Sequence, residues 1–145
     1  MDKADADLIC SFAELTALLA QDGVVHQLQP RENAVHVQLE TDDVLTLWWR
    51  EQLGLLEYSL STDRYWPDSD SDKIWRTLGT LNHIAPMPCL TYNETTQKIT
   101  YRFVVPILPR GGFTPIELRS MFSLTRSTAR LMFERLGQSL SHSPA

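Results

Sequence analysis

The chain has 145 residues, 43% of them hydrophobic and 21% charged, with a formal net charge of −5. A chain of this length buries one sizeable core without disulfides or metal, and this composition excludes a disordered polymer. No run approaches the roughly 20 apolar residues that span a bilayer, and the acidic start MDKADADLIC lacks the basic opening of a signal peptide, so a cytoplasmic protein away from membranes is expected.

Asp7 precedes LICSFAELTALLAQDG, where Leu8, Phe12, Leu15 and Leu19 recur at helical spacing and Gly23 supplies a left-handed stop; this predicts a first helix. Four strands should follow as a meander, at 24–28, 34–40, 44–50 and 55–61, each rich in branched or aromatic residues and separated by polar turns. Val35, Val37 and Leu39 alternate with His36 and Gln38, so one face is buried and the other wet. Trp48 and Trp49 then point to opposite faces, and one of them must leave the core unless something covers the outer face. TDRYWPDSDSD reads as a loop. It leads into KIWRTLGTLNHIA, a second helix with Ile74, Leu78, Leu81 and Ala85 on one stripe, ended by Pro86 and Pro88. CLTYNETTQKITYRFVV reads as a hairpin with Ile99, Tyr101, Phe103 and Val105 on one face.

The last segment admits two readings. IELRSMFSLTRSTARLMFERL can be parsed as a helix-turn-helix, with a turn near Ser123 and Arg126, Ser127, Thr128 and Arg130 aimed at a groove, which would make residues 114–137 the DNA-reading part of a nucleic-acid-associated regulator. By periodicity it is one helix: Thr114 caps, Pro115 stands in the first turn, Glu117 reaches back, and Leu118, Met121, Phe122, Thr125, Ala129, Met132, Phe133 and Leu136 stay on one stripe up to a stop at Gly137. Burying the six large apolar side chains contributes on the order of 10 kcal/mol gross, which favours the unbroken helix. Direct DNA binding is therefore not expected. The order helix, four strands, helix, two strands, helix makes a single α+β domain over 1–145, with 138–145 as a flexible tail.

No catalytic constellation is present, so neither an enzyme nor a cofactor is expected. Asp68, Asp70 and Asp72 have the spacing of the first ligands of a calcium loop, but Lys73 and Gly79 stand where that loop needs Gly and Glu; acids before a helix cap its free N–H groups instead. His26 and His36 could approach each other across the first hairpin as a surface pair. Cys10 and Cys89, in no CxxC pair, are expected as free buried thiols.

Charge is unevenly placed: fifteen acidic residues against four basic ones in 1–72, hence −11, and three against nine in 73–145, hence +6. Such polarity serves either a charged partner or mutual attraction of the two halves of one fold. Arg119, Arg126 and Arg130 fall together on the polar side of the last helix, either as a solvated face or as a binding face. Trp48, Trp49, Tyr65 and Trp66 supply aromatic area of the kind enriched at interfaces.

The element order, with TYNETTQKITYRFVVPIL followed by a capped amphipathic helix, resembles the YbjN-like family and the related small type III secretion chaperone fold. The resemblance implies a twisted antiparallel sheet with three helices packed on it, no enzymatic activity, frequent homodimers and binding of an extended segment of another protein. Together these readings predict a non-enzymatic, chaperone-like module that forms a homodimer and docks a protein partner through Trp48, Trp49, Tyr65, Trp66, Arg119, Arg126 and Arg130.

Overall fold

The structure, a computed structural model, describes residues 7–142 except 25, 40–42, 63 and 85–88. The first helix, α1 (Phe12–Gln21), begins four residues later than Asp7 would have it. Ser11 is the cap: its hydroxyl accepts the Glu14 amide at 3.2 Å, while the Glu14 carboxylate accepts the Cys10 amide at 3.3 Å. Residues 8–10 are drawn out of the helix because Ile9 is fully buried and exchanges two backbone hydrogen bonds with Phe113, at 2.6 and 3.1 Å. Gly112 permits this approach, since any side chain there would collide with the Ile9 carbonyl. Cys10 is exposed by the same geometry, contrary to the expected buried thiol; the side chain of Cys89 lies outside the described residues.

Strands β1 (His26–Gln29), β2 (Ala34–Gln38), β3 (Val44–Arg50) and β4 (Leu55–Ser61) form the expected meander. The turns after β1 and β3 close through left-handed residues, Asn33 and Gly54. Helix α2 (Ser71–Ile84) follows a single 3-10 turn at Asp68–Asp70, which places the DSDSD acids at its N-terminus. The prolines expected to end α2 lie outside the described residues.

Strands β5 (Cys89–Asn93) and β6 (Lys98–Pro106) complete a six-stranded antiparallel sheet in the order β1-β2-β3-β4-β6-β5. The hairpin thus docks by its second strand, leaving β5 at the edge. Period-2 alternation puts Val35, Val37, Leu45, Leu47, Trp49, Leu56, Tyr58, Leu60, Tyr101 and Phe103 on one face, in one buried cluster with the apolar stripes of all three helices. His26 pairs with Val37 while His36 pairs with Gln27, so the two histidines stand on opposite faces and do not meet. His36 instead bonds Thr46 at 2.9 Å on the open face.

Helix α3 (Pro115–His142) is continuous through Ser123, so no helix-turn-helix is built. It also runs through Gly137, and the segment expected as a tail is helical as far as His142. Two contacts extend it: Leu140 joins the edge of the core, and Lys73 of α2 donates to the Leu140 carbonyl at 3.0 Å. A side chain at Gly137 would begin 3.9 Å from the Arg64 guanidinium, an ordinary contact, so Arg64 reaches across to this turn of α3. Among the described residues no helix is long and apolar enough to cross a membrane.

Candidate partner-binding groove

At one end of the sheet a groove of about 440 Å³ opens between α3 and the chain that leaves β4, a size typical of ligand sites. Leu60, Thr62, Arg64 and Trp66 line it from the β4 side, Leu39 and Asp43 from the turn between β2 and β3, and Arg126, Arg130, Phe133 and Glu134 from α3. The α3 residues recur at spacings of three and four, one face of a helix. The β4-side residues share the parity of the buried face of that strand.

Trp66 is the fixed point. Its amide donates to the Gln97 carbonyl at 2.7 Å, and its own carbonyl accepts the Tyr92 hydroxyl at 2.7 Å, so both backbone groups are tied to the β5–β6 hairpin. The ring is 5% exposed, and its Nε1–H meets no acceptor among the described residues. Arg64 stacks on that ring, its guanidinium carbon 3.8 Å from the centroid. Arg126 lies 6.0 Å from the Phe122 ring, a looser contact. None of Arg64, Arg126 and Arg130 is in an ion pair among the described residues.

The structure therefore unites Trp66, Arg126 and Arg130 in this groove, which the other four expected residues do not line. Trp49 lies at the far end of β3, 2% exposed, its ring edge-on to Phe113 at 6.4 Å. Trp48 is half-buried on the open face beneath Arg50, 4.7 Å from its centroid. Tyr65 is 65% exposed, with Lys98 over its ring at 5.0 Å, and lines with Trp66 a separate pocket of about 180 Å³ toward α2. Arg119 is engaged by Asp22, whose two carboxylate oxygens each accept from it at 2.9 Å. That pair closes a second, apolar crevice of about 180 Å³ between α1 and α3, bordered by Leu18, Tyr58, Leu118 and Phe122.

Arg64 escaped sequence reading because it counted only as charge, although Leu60, Thr62, Arg64 and Trp66 share a period-2 parity that extends β4's buried face. A second omission is the outward row Ile116, Leu124 and Leu131 on α3, which is 54%, 52% and 46% exposed and interleaved with Ser120, Ser123 and Ser127.

Away from these surfaces, the open face of the sheet holds a compact charge cluster. Glu57 is 5% exposed and accepts from Arg102 at 2.9 Å, Ser59 at 2.8 Å and Arg50 at 3.2 Å. Burial raises its pKa, but the hydrogen bonds from Arg102, Ser59 and Arg50 and the charge of Arg102 outweigh that and hold it below the usual carboxylate range. Glu57–Arg102 and Asp22–Arg119 each join the acidic half of the chain to the basic half, so part of the charge polarity is spent inside the fold.

No family model matches the sequence, and no curated protein matches it. Among solved structures, the chain is similar to YbjN from E. coli, described as a candidate transcription regulator, with a TM-score of 0.70 at 11% identity over 94% of this chain and 96% of that one. It is also similar to a chain of the HopA1–SchA chaperone–effector complex, with a TM-score of 0.60 at 13% identity over 85% of this chain and 94% of that one. Likeness at such identities shows the fold alone: this is the YbjN-like, secretion-chaperone-like α+β fold.

Proposed function

We propose that the protein is a non-enzymatic, cytoplasmic interaction module of chaperone type that receives an extended segment of a protein partner in the groove between α3 and Trp66. The observation that supports it best is the groove itself: an apolar floor of Leu39, Leu60 and Phe133 beside three arginines that are in no ion pair among the described residues. A structural neighbour taken from a chaperone–effector complex supports the same class of role. The test is a photo-crosslinking amino acid placed in turn at Thr62, Glu134 and Gln27 in cells. One partner segment should crosslink at Thr62 and Glu134 and not at Gln27, which lies on the far edge strand. Equal crosslinking at all three positions, or crosslinking at Gln27 alone, rejects the groove.

The same reading includes a homodimer, and the outward row of α3 is its support. In an antiparallel pair of α3 helices whose two-fold axis passes between Ser123 and Leu124, Ile116 lies level with Leu131 of the other copy, Ser120 with Ser127 and Leu124 with Ser123. A large-small row that is its own complement when reversed suits an isologous contact.

A further inference from the structure

We infer that the partner segment held in this groove carries a carboxylate side chain next to an apolar anchor: the site selects an acidic, amphipathic peptide. This rests on the groove being the docking site and adds the chemistry of what docks there. Arg64, Arg126 and Arg130 converge on the groove from two elements, and none has an ion-pair partner among the described residues. Arg64 is held by stacking on the Trp66 ring, its guanidinium carbon 3.8 Å from the centroid. A guanidinium fixed on an aromatic face keeps its N–H edge free, and a planar carboxylate fits that edge with two parallel hydrogen bonds.

The remaining lining decides between a peptide and a polyanion. Asp43 and Glu134 also border the groove, so two negative charges offset its three positive ones and leave a net +1. A phosphate backbone, with charge at every step, would meet those carboxylates, whereas a single acidic side chain can settle among the arginines while its neighbour enters the apolar floor. The protein's net charge of −5 further disfavours a long polyanion.

The experiment probes the whole protein with an array of short peptides of random sequence, then measures Kd for the best binder and for its copy with Glu or Asp changed to Gln or Asn. The acidic copy should bind about tenfold more tightly, the worth of one charge-assisted contact in a partly desolvated site. In Arg64→Gln the two copies should bind alike, and in Arg126→Gln or Arg130→Gln the preference should shrink. Equal affinity of the two copies for the unaltered protein overturns the inference, as does displacement of the peptide by a single-stranded oligonucleotide at lower concentration. Thr62→Trp, which fills the groove, separates this inference from the reading beneath it. If Thr62→Trp abolishes binding of peptides that show no acid preference, the groove stands and the carboxylate falls; if binding survives Thr62→Trp, or no peptide binds, both fall.

Discussion

The Tyr92 hydroxyl donates to the Trp66 carbonyl at 2.7 Å, and through that bond the edge hairpin holds one wall of the groove. Both residues are buried at 5% exposure, so water cannot readily replace the donor if it is removed. Tyr92→Phe should lower stability by about 1–3 kcal/mol in urea denaturation, since it leaves a buried carbonyl unpaired. In a Trp75→Phe background, which removes the ring edge-on to Tyr92 at 5.9 Å, it should also change tryptophan fluorescence more than a Tyr65→Phe control does, because Tyr65 is exposed.

Glu57 makes stability depend on pH. Its folded pKa lies below the unfolded value of about 4.3, so its contribution is full above that value and is lost as pH falls through the folded pKa. The urea midpoint should therefore drop as pH falls below about 4.3, and Glu57→Gln should flatten that part of the profile. An unchanged slope in the variant would show that other carboxylates govern acid unfolding.

On α3 the heaviest penalty should come from a residue that lines no groove. Leu136 is fully buried, and Leu136→Ala should cost about 2–5 kcal/mol. Phe133 is only half-buried at the groove wall, and Phe133→Ala should cost about 1–2 kcal/mol while widening the site. Denaturation of the two variants side by side checks the order.

Thr125 is 1% exposed, and its hydroxyl has no hydrogen-bond partner among the described residues. Replacing it with a methyl removes an unsatisfied polar group at nearly constant volume. Thr125→Val should raise stability by on the order of 1 kcal/mol, seen as a higher Tm. A loss instead would show that the hydroxyl finds a partner in solution.

Leu124 stands beside the proposed dimer axis and is 52% exposed in the single chain. Leu124→Lys should give a monomeric mass by light scattering where the unaltered protein gives a dimeric one, because the axis brings the two lysines together. Its unfolding free energy as a monomer should stay within about 0.5 kcal/mol of the single-chain value, as for other exposed positions.

Local periodicity was enough for what depends on neighbours along the chain. The strands at 44–50 and 55–61, the opposite faces of Trp48 and Trp49, the Thr114–Glu117 cap and the unbroken stripe of α3 all follow from side-chain spacing and backbone hydrogen bonding within a few residues. Those features set the α+β class and disfavour a helix-turn-helix without any tertiary contact. Contacts between distant segments decided the rest. Ile9 pairs with Phe113 and so delays α1; Lys73 and the core contact of Leu140 carry α3 past a glycine that should have stopped it; β6 rather than β5 joins β4. The groove belongs to this second group: Arg64 and Arg126 are separated in sequence by α2, a hairpin and the first part of α3, and only the packing of α3 against the end of β4 makes them neighbours. Side-chain spacing reports which face a residue occupies, whereas the face it meets is fixed by burying one shared core, and that is a property of the whole chain.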